Sequence, residues 1–149
     1  MDAVTYPTEN VVEHIEKHVI PVRIPFDDPL AGEFVVKWTP NLVFADAERA
    51  VHHRIIGFLP PEELIPAILL GVGKTFFDLA DLDRDLGILN EVVEKHPTSH
   101  AAPEAVYFMG VSRYKKTHSG EPLKEAYEKL KEAYPESEWA KRAAPYRLL

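Results

Sequence analysis

The chain of 149 residues contains no cysteine. This absence excludes disulfide bonds, thiolate catalysis and metal sites built on thiolates. The amino terminus lacks the basic and then apolar pattern of a secretory leader. No apolar run is long enough to form a membrane-spanning helix. The sequence therefore predicts a cytoplasmic protein with no membrane association.

Positive charge is also in short supply. Seventeen Lys and Arg residues stand against 24 Asp and Glu residues, which gives a net charge of −7. Nucleic-acid binding requires a basic face, and anionic lipid surfaces repel an acidic protein. We therefore expect no nucleic-acid partner, and no motif in the chain indicates a cofactor. The length suits one domain, or at most two parts, with a conventional core.

The first part of the chain contains short mixed elements. Thr8 is placed to cap a helix that starts near Glu9. Residues 19–26 form an apolar run typical of a β-strand, although Pro21 and Pro25 within it cannot donate to a sheet ladder. We therefore expect this strand to lie at an edge of the sheet or to be paired over only part of its length.

The next segments predict a hairpin followed by a helix. Residues 30–34 have the pattern of a short helical turn. Two strands are predicted at 42–45 and 51–56, joined by a loop without glycine. Pro61 and the acidic residues that follow it suit the first turn of a helix. Pro66 lies about one turn further in, which predicts a kink or a later start of that helix.

From residue 82 onward the apolar residues follow a helical period. The segment 94–99, Glu-Lys-His-Pro-Thr-Ser, recurs as Glu-Ala-Tyr-Pro-Glu-Ser at 132–137. The distance along the chain between the two copies is close to the length of tetratricopeptide-class helical repeats. The sequence thus predicts a repeated unit of a helix, a Pro-x-Ser break and a further helix.

One tripeptide carries the resemblance to a known family. Trp38, Thr39 and Pro40 precede an apolar strand, and this layout resembles the cis-proline loop of the thioredoxin fold. The resemblance covers residues 8 to about 75 but lacks the first strand and the helix that bears Cys-x-x-Cys. It implies an α/β fold class, with an incomplete thioredoxin-like sheet and flanking helices in residues 1–80. Residues 81–149 resemble the tetratricopeptide-like helical tails of some bacterial thioredoxin-family proteins.

The resemblance also implies a function. In thioredoxin-like proteins the backbone beside the cis-proline pairs with an extended peptide, so Trp38, Thr39 and Pro40 are the candidate peptide-binding residues. The predicted function is a non-catalytic thioredoxin-like protein–protein interaction module with a protein or peptide partner, rather than an enzyme. The alternative is a truncated or degenerate thiol-disulfide oxidoreductase whose redox motif is missing from these residues.

The missing first strand affects the predicted assembly. In the thioredoxin family that strand pairs beside the one that corresponds to residues 19–26. Without it, the backbone groups of this apolar strand face outward, which invites pairing with another chain. We therefore predict a homodimer through residues 19–26, or a rearranged amino terminus that covers the edge.

Histidine pairs give the weakest functional signal. His14 and His18 share one face of the predicted first helix, but Glu13 is misplaced for a metalloprotease motif and no third ligand is visible. We therefore predict a solvated face and no metal site. His52 and His53 are adjacent in a strand and so point to opposite faces. We expect His53 to be half-buried and His52 to lie on the wetter side.

Overall fold

Helices dominate the structure, a computed structural model that describes residues 1–149. Seven α-helices accompany one two-stranded antiparallel sheet, so the fold belongs to the mixed α/β class. The elements in chain order are α1 (Glu9–His18), α2 (Pro29–Glu33), β1 (Asn41–Ala45), β2 (Val51–Ile56), α3 (Pro61–Asp78), α4 (Leu82–Lys95), α5 (Ala101–Thr117), α6 (Glu121–Ala133), α7 (Glu138–Ala143) and a 3₁₀ helix (Ala144–Leu148). None of the helices combines the length and the apolar character that crossing a bilayer would require.

The helices from α3 onward form a layered array. Each helix packs against the next one along the chain, and α5 also contacts α3 on one side and α7 on the other. The odd-numbered helices α3, α5 and α7 therefore make one layer, while α4 and α6 make the other. We call residues 61–148 the helical array.

The hydrophobic core lies between these two layers. Its largest fully buried side chains come from α3, α4 and α6, and α1 contributes one more from outside the array. They are Leu64, Leu69, Leu89, Val92, Leu130 and Val11. Helices α5 and α6 approach closely at Gly110, where an added Cβ would lie only 2.5 Å from the Ala126 Cβ. Any side chain at position 110 would push the two helices apart.

The repeated segments end their helices in the same way. α4 is capped by His96 (φ −131°, ψ 48°) and α6 by Tyr134 (φ −138°, ψ 51°). Just after each helix, the hydroxyl of Ser99 or Ser137 donates to the carbonyl of the capping residue at 2.8 Å. The recurrence in sequence therefore corresponds to equivalent helix ends in three dimensions.

The predicted hairpin is confirmed, with β1 beginning one position earlier than expected. β1 and β2 pair in register from Asn41 opposite Ile56 to Ala45 opposite Val51. A bulge leaves His52 as the extra residue on β2. The sheet packs on α3, where the ring of Phe44 fills the space over Gly71 that a Cβ would otherwise occupy.

The predicted strand at residues 19–26 is wrong. This segment has no regular secondary structure, and the backbone groups of residues 20–24 make no hydrogen bonds. The sheet has only two strands, so no neighbouring strand lies alongside the segment. The alternation of apolar residues predicted a strand, but a β-strand forms only where a neighbouring strand accepts and donates its backbone hydrogen bonds.

The remaining local predictions are confirmed in part. α1 begins at Glu9 with Thr8 at the N-cap position, yet the Thr8 hydroxyl donates to the Val4 carbonyl instead of capping the helix. The short helical turn predicted at 30–34 is present as α2. α3 begins at Pro61 and continues through Pro66, so the predicted later start is wrong.

α3 lies at the junction of the two predicted domains. It belongs by sequence to the predicted 1–80 domain, yet it packs against α4 and α5 as well as against α1 and both strands. Its apolar side chains are part of one core that includes residues of α4, α5 and α6. The division at residue 80 stays a prediction.

Candidate functional site

The predicted peptide-binding residues lie where the chain enters the sheet. The Thr39–Pro40 peptide bond is cis, as the thioredoxin resemblance implied. The Pro40 carbonyl accepts a hydrogen bond from the Gly57 backbone N–H at 2.9 Å, which fastens the loop to the far end of β2. Trp38 stands clear of the protein, with 69% of its surface exposed. The structure thus brings the three residues together at one end of the hairpin.

β1 presents an open edge beside this loop. The bond between Pro40 and Gly57 marks a hydrogen-bonded pair, and alternation along an antiparallel ladder then directs the backbone groups of Asn41 and Val43 away from β2. Because the sheet has only two strands, these groups have no ladder partner. An open edge of this kind can accept an extended segment of another chain.

Exposed apolar side chains lie at this end of the hairpin. Ile56, which pairs with Asn41, is 61% exposed, and Phe58 just beyond it is 56% exposed. Val35 on the approach to Trp38 is also exposed. Large apolar side chains that cluster at a surface are typical of protein–protein contact sites.

Arg54 fixes the segment that leads to Trp38. Its guanidinium donates to the Phe34 carbonyl at 2.5 Å and to the Asn41 Oδ1 at 3.0 Å. These bonds attach the end of α2 to the sheet. Arg54 thus anchors residues on both sides of Trp38, whose own side chain is mostly exposed.

His52 lies between two carboxylates, contrary to the prediction of a wetter position. The bulge directs its ring to Asp46 and Asp78, with Nε2 at 3.0 Å from Asp46 Oδ2 and Nδ1 at 2.9 Å from Asp78 Oδ2. Only 9% of the side chain is exposed. The hydrogen bond to Asp78, reinforced by the one to Asp46, raises the pKa of His52. With both nitrogens engaged, His52 fastens the hairpin to the end of α3 and is not free for catalysis.

His53 points the other way, into the packing between the sheet and α3. It is half-buried, as predicted, and its ring lies 5.8 Å from that of Phe44. Burial, together with the nearby Lys74 charge, lowers the pKa of His53 to about 4. Lys74 itself is paired with Glu104 of α5 at 2.6 Å. Neutral His53 is thus a packing residue.

An aromatic ladder crosses the layer formed by α3, α5 and α7. The rings of Phe77, Phe108 and Trp139 lie edge to face, 5.3 and 5.8 Å apart. Each ring carries a cation on its face, and these cations are Lys115, Lys74 and Arg142 respectively. The rings are half-buried and mainly join the helices. The equal spacing of the three rings along the chain was the only sequence signal for this contact.

An open depression of about 560 Å³ lies between the two repeated loops. Its walls come from the 97–103 and 133–139 segments, and the Tyr134 hydroxyl donates to the Pro97 carbonyl across it at 2.8 Å. No charged side chain is buried there with its polar atoms free. Most of the residues that line the depression are polar, but it is an open junction between two helix ends rather than an enclosed pocket.

Asp85 is the one fully buried acidic residue of the array. One of its oxygens accepts a hydrogen bond from the Ser112 hydroxyl, and the other, Oδ1, has no partner. Burial raises the pKa of Asp85 to about 6. Its place on α4 beside Val92 and Leu89 gave no sequence signal, because an acid in the first turn of a helix is normally exposed.

The histidines of α1 lie together without forming a ligand set. The rings of His14 and His18 stack at 6.2 Å, half-buried rather than solvated. His14 Nδ1 is bonded to the Asn10 carbonyl at 2.8 Å. No group of three or more His, Asp or Glu side chains in the structure is arranged to hold a metal ion.

Comparison with known proteins identified no relative of the chain. No protein-family model matches the chain, and neither curated proteins nor solved structures include a significant match.

Proposed function

We propose that the chain is a non-catalytic protein-binding module that takes an extended peptide on the open edge of β1. The observation that carries the proposal is the unpaired backbone of Asn41 and Val43 next to exposed Trp38. Main-chain hydrogen bonds along the edge would supply affinity, and apolar side chains of the peptide would contact the indole of Trp38.

The thioredoxin-like and tetratricopeptide-like assignments belong to this proposal. The Trp-Thr-Pro loop that leads into a strand and its hairpin supports the first assignment. The equivalent helix ends at His96 and Tyr134 support the second. In this arrangement the helical array is the rigid support, and α3 holds the hairpin from behind.

The alternative, a truncated thiol-disulfide oxidoreductase, has no comparable support. Thiol exchange needs a thiolate nucleophile, and these 149 residues contain no cysteine. The loop at Pro40 is compatible with both functions, whereas the open β1 edge favours binding.

Selection of peptides and mapping of their contact site would test the proposal. Random peptides displayed on phage are selected on the immobilised chain, and the best binder is titrated into isotope-labelled protein. We expect amide shifts at Asn41, Val43 and their neighbours. Trp38→Ala should weaken the peptide by at least about tenfold, as for a hot-spot aromatic.

Tyr114→Ala is the matched control, because Tyr114 is also an exposed aromatic but lies on α5. It should leave the affinity unchanged. Shifts confined to the α3, α5 and α7 layer, or equal losses in the two variants, would contradict binding at β1.

A further inference from the structure

Residues 19–26, here called the arm, follow α1 across the surface, and the backbone groups of residues 20–24 make no hydrogen bonds. Val19 already has an extended backbone (φ −140°, ψ 160°). The residues before Pro21 and Pro25 are biased towards the same extended conformation. Ile20 is 92% exposed, the highest value for any large apolar residue of the chain. In the monomer, the arm therefore leaves apolar side chains in water and backbone N–H and C=O groups without partners in the protein.

The two prolines make the two edges of the arm unequal. One edge keeps all of its backbone N–H groups and is called the complete edge; the other lacks two of them and is called the defective edge. In an extended chain, successive residues direct their N–H and C=O groups to opposite sides. Pro21 and Pro25 both fall on the odd-numbered side, where Arg23 between them keeps its N–H group. The even-numbered side retains every donor and acceptor, at Ile20, Val22, Ile24 and Phe26.

The same alternation sorts the side chains. Because side chains alternate with the backbone groups, the four apolar residues share one face of the extended arm. Arg23 shares the other face with the two prolines, and its guanidinium bonds Asp2 of the same chain at 2.9 Å. The arm is thus apolar on one face and competent to pair along one edge.

We propose that two copies of this chain associate through their arms, paired antiparallel along the even-numbered edges with a two-fold axis at Arg23. In this register Ile20 lies opposite Phe26 of the second copy, and Val22 lies opposite Ile24. Every N–H and C=O group on the complete edge then has a partner, and the apolar side chains of both arms form one continuous face. The contact is the same patch on both copies, as a two-fold interface requires.

The defective edge limits the assembly to two arms. A third arm would meet the side on which the two prolines lack donors, so the ladder cannot grow. The two Arg23 side chains lie opposite each other at the axis, where like charges are unfavourable. Each is balanced by its own Asp2. The pairing does not involve the open edge of β1 and stands whether or not that edge binds a peptide.

Single-cysteine variants test the register, since the chain has no other cysteine. Arg23 lies at a non-hydrogen-bonded position on the axis, where facing Cα atoms are about 4.5 Å apart. That distance is within the range a disulfide can span. We expect R23C to form a covalent dimer rapidly under mild oxidation. The P21C variant should cross-link far more slowly, because residue 21 faces residue 25 of the second copy.

Proline substitution tests the edge independently of any disulfide. Val22→Pro removes a donor from the complete edge, whereas Arg23→Pro removes one from the defective edge. Light scattering across the micromolar range should show a dimer for the wild-type chain and for R23P, and a monomer for V22P. A monomeric wild-type chain, equal cross-linking of the two cysteine variants, or equal behaviour of the two proline variants would overturn the proposal.

Discussion

Residues 1–60, here called the amino-terminal part, and the helical array are built on different principles. Only three of the 30 buried residues, namely Thr5, Val11 and Ala31, lie in the amino-terminal part. The same part holds ten of the 14 large apolar residues that are exposed. The array thus buries most of its large apolar side chains, whereas the amino-terminal part leaves many of its own in water.

Polar contacts add to the apolar packing that holds the amino-terminal part on the array. The Thr5 hydroxyl donates to the Leu59 carbonyl at 2.8 Å, Arg54 fastens the end of α2, and His52 attaches the hairpin to α3. Individual hydrogen bonds of this kind contribute about 0.5–1.5 kcal/mol each. Because nearly all of the buried residues lie in the array, the array supplies most of the stability.

The contrast between the two regions is tested most strongly by truncating one large side chain in each. Leu69 is fully buried in the array, so Leu69→Ala should lower the free energy of unfolding by about 3 kcal/mol. Trp38→Ala should change it by less than about 0.5 kcal/mol, because the indole is mostly in water. Urea titrations of both variants give the two values. Similar losses would mean that the amino-terminal part carries a core of its own.

Asp85 provides a second test, within the array. Its pKa is about 6 in the folded chain and near the ordinary 3.8 when unfolded. Stability is therefore full below pH 3.8, falls between pH 4 and 6, and stays lower above. Asp85→Asn removes this dependence. The change in the free energy of unfolding that the substitution causes should therefore be about 1–3 kcal/mol more stabilising at pH 8 than at pH 4.

Exposed Glu132 on α6 is the control for that experiment. The Glu132→Gln variant should keep the decrease in the unfolding free energy between pH 4 and 6 that Asp85 causes. A wild-type profile that stays flat from pH 4 to 8 would show that Asp85 has a partner in solution that satisfies its second oxygen.

His52 provides the smallest effect and concerns the attachment of the hairpin. Because the folded pKa of His52 is raised, the stabilisation by its two carboxylates is complete below the unfolded pKa of about 6.5. It is lost as the pH rises through the folded value, when the ring retains a single N–H. Hydrogen-exchange protection of β2 should therefore decrease at alkaline pH relative to α3, and His52→Asn should abolish that response. Equal pH dependence in β2 and α3 would count against this role.

Periodicity predicted most elements correctly, because it reports which faces a segment can bury. The apolar residues repeat with a helical period from residue 82 onward, and the segments 42–45 and 51–56 have the apolar pattern of strands. Residues 19–26 show period two just as clearly, yet they are not a strand. Pairing depends on a neighbour elsewhere in the chain, and no local pattern reveals whether that neighbour exists.

The candidate site was predictable to the same extent. The sequence identified Trp38, Thr39 and Pro40, whereas the openness of the β1 edge follows from a sheet that stops at two strands. The burial of Asp85 and His52 was missed for a related reason. Both are polar residues whose surroundings come from other elements, α5 for the first and α3 for the second.

The order of packing in the helical array bears on how the chain folds. Each helix from α3 to α7 finds its main neighbour directly before or after it, so few long loops must close before the core forms. We expect the array to fold first and the hairpin and α1 to dock onto α3 afterwards. Pulse-labelling hydrogen exchange during refolding should then protect α4 and α5 earlier than β1 and β2. In that case the arm would take up its position only after the helical array has folded.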